Sequence, residues 1–321
     1  MRQLLDFELE IEPFEAEMEM LRRSEDTGEG DDILKRLRQL EKKKETSLKT
    51  IYSKLTDWQA CQVARHPARP QMMDYICGLC ADFVELHGDR CFADDKAIIA
   101  GLAKFEGRSV AVIGQQKGHT TSERLERNFG MAGPEGYRKA LRVMGLAEKF
   151  NLPLLNFVDT PGAYPGIGAE ERGQSGAIGM CLQRAATLRT PTLVIVIGEG
   201  GSGGALAIAV GDYVAMLRYA VYSVISPEGC ASILWKDASR TAEAAALLGL
   251  TAAQLKKMSL IDDIIDEPAG GAHRHADGVI AATGVTLNTA LERLHNLDIE
   301  TLLEARRQRW RNYGKYLERR Q

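Results

Sequence analysis

Two glycine-rich segments of the chain each follow an apolar run, and their residue types suit the binding of an anion. Residues 159–166 have the sequence DTPGAYPG, and residues 198–204 have the sequence GEGGSGG. A strand that leads through a glycine-rich turn into a helix presents several backbone N–H groups in one direction, beside the partial positive charge of the helix N-terminus. Glycine fits such a turn because the backbone must approach the ligand closely or adopt a positive φ. The two segments therefore predict sites that hold a phosphate or stabilise an oxyanion.

The second segment matches a short motif of nucleotide-binding enzymes. Gly198, Gly200 and Gly203 fit G-x-G-x-x-G, which is typical of dinucleotide-binding domains when it follows a strand. The match is weak, because it begins only at residue 198 and no acidic residue clearly ends a following strand about twenty residues on.

The same segment also matches a motif of hydrolases. Gly200, Ser202 and Gly204 fit G-x-S-x-G, the strand–turn–helix elbow that carries the nucleophile of α/β-hydrolases. Acids and histidines that could complete a catalytic triad follow in the sequence, among them Asp212, His273 and His275. In a third interpretation the glycines have no chemical role, and they only allow a helix to pack closely on a sheet. The motif alone leaves these alternatives open.

Other familiar chemistries find little support in the sequence. There is no G-x-x-x-x-G-K-[ST] segment for ATP and no H-E-x-x-H segment for zinc. Cys77 and Cys80 have zinc-knuckle spacing, but no second pair follows, and they lie in an apolar run, residues 75–83, that predicts a helix. His119 falls in a polar loop and is expected to be solvated. We therefore predict no metal site, and free thiols at all six cysteines.

Strands and helices alternate around the glycine segments. Short apolar runs bounded by turn residues predict the strands, and longer periodic segments predict the helices. The predicted strands are 97–105, 109–115, 152–158, 191–197, 213–217 and 220–225, and the predicted helices are 135–150 and 170–189, one that starts at 205, and most of the chain beyond 239. This order is typical of an α/β layered domain.

The first 70 residues are predicted to form a helical arm. Residues 12–23 and 32–60 are predicted helices with a polar loop between them, and the second helix carries an apolar stripe. That stripe must be buried, either on the chain's own domain, residues 71–321, or on a partner subunit. At the other end of the chain, the arginine-rich segment 306–320 predicts a basic helix with a solvated face.

Composition limits the class of protein. Lys and Arg number 41 and Asp and Glu number 44, so the net charge is −3 and binding to nucleic acid is not expected. No apolar run approaches the ~20 residues of a membrane span, and the N-terminus lacks the apolar core of a secretory signal. Because 45% of the residues are hydrophobic, the chain can build a sizeable core. We expect a globular protein of the cytoplasm.

A series of segments, in one order along the chain, carries a family resemblance from about residue 33 to 295. The segments are 94–98, 127–131, 134–140, 159–166, 168–175, 198–209, 222–236 and 270–274. They resemble the acetyl-CoA carboxylase carboxyltransferase alpha-subunit family. Several blocks in the same order are far more specific than any single motif.

The resemblance implies a fold, a reaction and partners. The fold would be crotonase-like, of the ClpP/crotonase superfamily, with a spiral of strand–strand–helix units after the N-terminal arm. The reaction would move a carboxyl group from carboxybiotin to acetyl-CoA, giving malonyl-CoA at the first committed step of fatty acid biosynthesis. The partners would be a beta subunit in an α2β2 assembly, a biotin carboxyl carrier protein that presents carboxybiotin, and a biotin carboxylase that alone uses ATP. No cofactor would be bound directly, and another short acyl-CoA stays an alternative substrate.

The resemblance also gives the glycine segments roles. The backbone N–H groups of Gly203 and Gly204 would be oxyanion donors, and Ser202 would be incidental to the turn. Arg172 would meet a carboxylate or a phosphate, or else form a structural ion pair with a nearby acid. No side-chain general base is evident, and the family suggests that carboxybiotin supplies one after losing CO2. The predicted substrate-binding residues are Gly162, Ala163, Tyr164, Pro165, Gly166, Arg172, Gly200 and Gly201.

Overall fold

A mixed β-sheet forms the centre of the chain in the computed structural model, which describes residues 3–24 and 30–314. In this part of the chain the sheet has eight strands in the order β1-β2-β3-β4-β5-β6-β8, and β7 pairs with the end of β5. The strands are β1 (Cys80–Glu85), β2 (Ile98–Phe105), β3 (Arg108–Gln115), β4 (Leu154–Thr160), β5 (Thr192–Gly201), β6 (Tyr213–Leu217), β7 (Val221–Ser223) and β8 (Asp263–Ile265). The α/β class predicted from the alternation of elements agrees with this sheet.

The sheet changes from antiparallel to parallel at β3. Strands β2 and β3 form the predicted hairpin, and its turn places Glu106 and Gly107 at φ values of 47° and 76°. A two-residue turn in which both residues have a positive φ matches the right-handed twist of the two strands. From β3 onward the pairs are parallel, and β4 and the body of β5 are buried on both faces, as their continuous apolar sequences require.

Helices cover the sheet and form the N-terminal arm. They are α1 (Glu12–Ser24), α2 (Gly30–Tyr52), α3 (Asp57–Ala64), α4 (Met72–Leu79), α5 (Thr121–Glu126), α6 (Pro134–Lys149), α7 (Ile167–Glu171), α8 (Gln174–Thr187), α9 (Ser202–Leu206), α10 (Pro227–Trp235), α11 (Thr241–Leu248), α12 (Ala252–Lys257), α13 (Ala276–His295) and α14 (Ile299–Arg311). Short 3₁₀ segments among the described residues are Asp6–Ile11, Asn128–Gly130 and Ala238–Arg240. None of the described helices is long and apolar enough to cross a membrane.

The prediction of one continuous helix over residues 32–60 was wrong, because the structure has two helices in this range. Helix α2 ends at Tyr52, and α3 begins separately at Asp57. Thr56 caps α3, because its hydroxyl accepts the N–H of Gln59 at 3.2 Å while the Gln59 side chain accepts the N–H of Thr56 at 2.9 Å. This reciprocal capping fixes a new helix start inside a continuous apolar pattern. Part of the predicted loop between the arm helices, residues 25–29, lies outside the described residues.

Two further helix predictions failed where tertiary pairing or a glycine intervened. The helix predicted over 75–83 stops at Leu79, because Cys80 pairs with Phe105 as the first residue of the edge strand β1. The helix predicted over 170–189 is interrupted at Gly173, which has a φ of 82° and separates α7 from α8. In the first case strand pairing, and in the second a glycine in the left-handed conformation, ends a helix that the local sequence pattern would continue.

The apolar stripe of the arm is buried within the chain. Ile33, Leu40 and Leu48 of α2 are buried, and Leu48 belongs to an apolar cluster with Ile11 and Val63. Tyr219 and Ala269, beyond the arm, pack against the same cluster. The boundary between arm and main domain at residue 70 stays a prediction.

The prediction that the arginines of the basic C-terminal helix lie on a solvated face was wrong for part of the helix. Arg306 was predicted on a solvated face, but it is buried and binds Asp212 through Nε at 2.7 Å and through Nη2 at 2.6 Å. Arg309 is also largely buried and pairs with Asp262. Arg307 and Arg311 are exposed, as expected, and the predicted residues 315–320 lie outside the described part of the chain.

Candidate active site

The two glycine segments meet because the strands that carry them are neighbours. Strands β4 and β5 are adjacent and parallel, with Thr160 opposite Gly200 in the register. Their carboxyl ends therefore lie at the same edge of the sheet, which is where open α/β sheets place their ligands. Residues 161–166, which we name the first turn, leave the sheet beside residues 198–204, which we name the second turn.

The two turns touch through their backbones, and this contact requires glycine. A Cβ at Gly201 would overlap the carbonyl oxygen of Pro161 and lie 3.0 Å from the nitrogen of Gly162. A Cβ at Gly204 would overlap the nitrogen of Ala163 and lie 2.9 Å from the carbonyl oxygen of Gly162. The glycines of the second turn thus let two main chains approach more closely than any side chain permits.

Helix α9 begins at the second turn and leaves backbone donors free. Ser202 is its first residue, and the N–H groups of Gly203 and Gly204 lie in its first turn, where no intrahelical acceptor exists. Among the residues that the structure describes, neither N–H donates a hydrogen bond. Gly203 is partly exposed, whereas Gly204 is buried against the first turn. Two backbone donors of α9 are therefore without an acceptor among the described residues, next to the first turn.

Hydrogen bonds hold the first turn in place. The N–H of Gly162 donates to Thr160 Oγ1 at 3.1 Å, and the N–H of Tyr164 donates to the carbonyl of Ala132 at 3.0 Å. Gln174 Nε2 donates to the carbonyl of Tyr164 at 2.9 Å. The Tyr164 and Pro165 side chains are exposed beyond these anchors, and α7 begins just after Gly166.

Charged side chains surround the strand ends beneath the second turn. Lys117 Nζ lies 2.7 Å from Asp159 Oδ1 and 2.8 Å from Glu199 Oε2, and Arg65 Nε lies 2.5 Å from Glu199 Oε1. Beside them is a cavity of about 220 Å³ that also reaches Pro161 of the first turn. The cluster places two carboxylates and two cations next to the glycine segments.

The ion pairs keep this cluster charged. Burial alone would raise the pKa of Glu199, but Lys117 and Arg65 outweigh it, and the net pKa lies below its ordinary value. Burial alone would lower the pKa of Lys117, but Asp159 and Glu199 outweigh it and raise the net pKa. Glu199 is therefore an ionised ion-pair partner and a poor proton acceptor near neutral pH.

Arg172 is held in an ion pair away from the second turn. Its Nε donates to Glu135 Oε1 at 2.6 Å, and its guanidinium lies over the ring of Phe92 at 4.8 Å. Arg138 also pairs with Glu135, at 3.0 Å, and donates to the carbonyl of Arg172. Of the two roles considered for Arg172, these contacts favour the structural ion pair.

In the part of the chain that the structure describes, the groups that a hydrolase would need are not assembled around Ser202. Ser202 is exposed and has a φ of 55°, but the hydrogen bonds among the described residues give its hydroxyl no base. Asp212 pairs with Arg306, and His273 stacks on His66 with ring centroids 3.8 Å apart. Among the described residues, no group of three or more His, Cys, Asp or Glu side chains is arranged to hold a metal ion.

The chain matches a protein family along almost its whole length. Residues 4–314 match the family described as acetyl co-enzyme A carboxylase carboxyltransferase-like. The chain belongs to this family. Two relatives are the acetyl-coenzyme A carboxylase carboxyl transferase subunits alpha of Nitrosomonas eutropha, 58% identical over 312 residues, and of Aromatoleum aromaticum, 56% identical over 314 residues. These alignments cover 97% and 98% of this chain, and 97% of each relative.

Solved structures show the same fold at low sequence identity. Transcarboxylase 12S, solved with methylmalonyl-coenzyme A and methylmalonic acid bound, has a TM-score of 0.58 and 21% identity, over 71% of this chain and 42% of that one. The beta subunit of P. aeruginosa geranyl-CoA carboxylase has a TM-score of 0.55 and 17% identity, over 76% of this chain and 46% of that one. Together with the family match, they confirm the crotonase-like fold.

Sequence inspection of this carboxyltransferase missed the residues that join the turns to the sheet. Gln115 is the last residue of β3 and Lys117 lies two residues after it, and neither was singled out as a candidate. Asp159 and Glu199 were seen only as parts of glycine segments. A usable signal existed, because polar residues directly after adjacent parallel strands meet at one edge of the sheet.

Proposed function

We propose that the chain is the alpha half of a carboxyltransferase that moves a carboxyl group from carboxybiotin to acetyl-CoA, giving malonyl-CoA for fatty acid synthesis in the cytoplasm. The observation that carries the proposal is the contact between the two turns. Beside this contact, the N–H groups of Gly203 and Gly204 have no acceptor among the residues that the structure describes. Family membership supplies the reaction class.

The proposed reaction needs donors of this kind. Carboxylating the methyl group of acetyl-CoA requires an enolate with negative charge on the thioester oxygen, and the ureido oxygen of biotin gains negative charge when CO2 leaves. Fixed N–H groups stabilise such charge as it develops, and removing one donor typically costs about 3–4 kcal/mol. Gly203 and Gly204 are our candidates for these donors, and either oxyanion would suit them.

The absence of an assembled side-chain base agrees with the same mechanism. Asp159 lies near the end of β4 and Glu199 belongs to the second turn, and both are ion-paired with Lys117. The low pKa of Glu199 makes it a weak base. We propose that the biotin ureido group, delivered on its carrier protein as substrate, accepts the methyl proton. The chain then needs no directly bound cofactor and no ATP, which the partner biotin carboxylase would use.

Partner subunits are part of the proposal. Large apolar side chains are exposed on elements next to the turns, including Ile167 and Met180 after the first turn and Val224 and Ile233 beyond β7. Exposed apolar side chains at a site favour a protein interface there. We propose that a beta subunit of the same fold covers this region in an α2β2 assembly, and that the remaining substrate contacts come from it.

Reconstitution tests the proposed function. We expect the purified chain alone to form little malonyl-CoA from carboxybiotin and acetyl-CoA, and to gain turnover at least a hundredfold when its beta subunit is added, because the donors alone do not complete a site. The measurement is malonyl-CoA formation during titration with beta subunit, with propionyl-CoA as a second acceptor to define the acyl range. Full turnover by the isolated chain would contradict the shared site, and no carboxyl transfer by the complex would contradict the function.

The serine-hydrolase alternative has its own test. We expect Ser202→Ala to keep carboxyl transfer within about threefold of wild type, because the proposed donors are backbone N–H groups. A fluorophosphonate probe should leave Ser202 unlabelled, since no base activates its hydroxyl. Stoichiometric labelling at Ser202, measured by mass spectrometry of the intact complex, would favour the hydrolase instead.

A further inference from the structure

One fully buried side chain connects the two turns to the end of a third strand. Gln115 is the last residue of β3. Its Oε1 accepts the N–H of Asp159 at 3.0 Å, at the base of the first turn, and its Nε2 donates to the carbonyl of Gly204 at 3.1 Å, in the second turn. One amide thus contacts both segments with its acceptor and its donor.

A second connection lies two residues further along the same segment. Lys117 pairs with both Asp159 and Glu199, and the N–H of Glu199 donates to Asp159 Oδ1 at 2.9 Å. A Cβ at Gly198 would overlap that carboxylate, so the two strand ends approach closely at this point. Lys117 pairs with the charged residues at the strand ends, whereas the Gln115 side chain forms a hydrogen bond with Gly204 itself.

We propose that Gln115 is a positioning residue for the backbone donors. Its bond to the Gly204 carbonyl fixes the ψ of Gly204, and its bond to Asp159 fixes where the first turn leaves the sheet. The relative placement of the two turns therefore depends on this side-chain amide in addition to the Lys117 ion pairs. The inference rests on the proposed function, because it assigns Gln115 a role in orienting the N–H groups that would serve the oxyanion.

The chain offers a matched control in the next residue. Gln116 is also buried, and its amide also has one acceptor and one donor bond, but these go to the N–H of Met73 and to Gln71 Oε1. Gln116→Glu therefore introduces the same buried carboxyl in the same segment without touching either turn. Any general cost of a buried carboxyl should be common to Gln115→Glu and Gln116→Glu.

The proposal predicts a dependence on pH that a purely structural role does not. In Gln115→Glu the ionised carboxylate has no donor for the Gly204 carbonyl, whereas the protonated carboxyl again has one donor and one acceptor. Burial and the charges of Asp159 and Glu199 raise the pKa of the new carboxyl, and Lys117 and Arg65 lower it. We therefore expect turnover to be lowered at high pH and to recover as the pH falls through that pKa.

The experiment measures kcat and KM of the α2β2 complex for wild type, Gln115→Glu and Gln116→Glu from pH 6 to 9, with thermal unfolding in parallel. At high pH we expect kcat of Gln115→Glu to fall by tenfold to a hundredfold with the KM for acetyl-CoA changed less than threefold, and to recover relative to wild type at low pH. A pH profile of kcat for Gln115→Glu that parallels wild type, or one that Gln116→Glu reproduces, overturns the proposal.

A second variant covers the case in which Gln115→Glu does not fold. Gln115→Met keeps the volume and loses both hydrogen bonds, so we expect the same fall in kcat at every pH with no recovery. Near wild-type kcat for Gln115→Met overturns the proposal. The wild-type complex is the reference for both variants. If the wild type transfers no carboxyl groups, the proposed function fails; if the wild type is active and the variants behave otherwise than expected, only the role of Gln115 fails.

Discussion

Replacing Gly204 with alanine is expected to lower the turnover of the reconstituted complex by about a hundredfold or more, comparable to the loss of one oxyanion donor. The new Cβ would lie 2.5 Å from the carbonyl carbon of Gly162 and overlap the nitrogen of Ala163, so the two turns must separate. Valine, larger and β-branched, should do at least as much damage. If the donors act on the transition state alone, acetyl-CoA affinity should change little by comparison.

Gly203→Ala is the matched control for this change. A Cβ at Gly203 finds open space, with Ile178 no closer than 3.9 Å, and the φ of this residue is not in the left-handed region. We expect its turnover to stay within about fivefold of wild type, because alanine keeps the N–H and displaces nothing. Thermal unfolding and association with the beta subunit separate slow turnover from misfolding. Near-normal turnover in Gly204→Ala would place the catalytic donors elsewhere.

Replacing Arg306 with methionine is expected to lower the free energy of unfolding by about 3–5 kcal/mol, since removing one partner of a buried ion pair leaves the other charge uncompensated. Besides its bonds to Asp212, Arg306 donates to the carbonyls of Ala185, Leu188 and Thr190 at 2.7, 2.8 and 3.1 Å. These carbonyls lie in the last turn of α8 and in the loop that leads to β5, so one guanidinium connects α14 to this part of the main domain. Urea unfolding measures the difference.

Arg307→Met removes the same side-chain type from the next position of α14 and serves as the control. Arg307 forms an exposed ion pair with Glu304 at 3.2 Å, and its side chain is 54% exposed. We expect a change of less than about 0.5 kcal/mol, as for most exposed ion pairs. Equal, small losses for the two variants would show that the buried bonds of Arg306 contribute nothing net to stability.

The sequence predicted well those strands and helices that are determined by the pattern of neighbouring residues. The hairpin β2–β3, the buried strands β4 and β5, and helix α6 follow from apolar runs and turn residues, which act over a few neighbouring positions. The two glycine segments were recognised for the same reason. Their meeting at one sheet edge follows from parallel pairing, once the α/β alternation is seen.

What the sequence could not provide depends on residues far apart in the chain. Gln115 contacts Gly204 across 89 positions, and Arg306 contacts Asp212 across 94, so neither bond leaves a local pattern. The basic spacing around Arg306 favoured a solvated face, and only the packing of α14 shows that Arg306 and Arg309 point inward. Similarly, the start of β1 at Cys80 is decided by pairing with Phe105 rather than by its apolar neighbours.

The central claim, that the N–H of Gly204 stabilises an oxyanion, is tested most directly by replacing that N–H with an oxygen atom. Glycolic acid introduced at position 204 by in vitro translation replaces the amide with an ester, which lacks the donor and adds no atom that could push the turns apart. We predict that kcat for malonyl-CoA formation by the assembled complex falls at least tenfold, and up to about a thousandfold, with unfolding temperature and beta-subunit association unchanged. A kcat within twofold of wild type would contradict the claim.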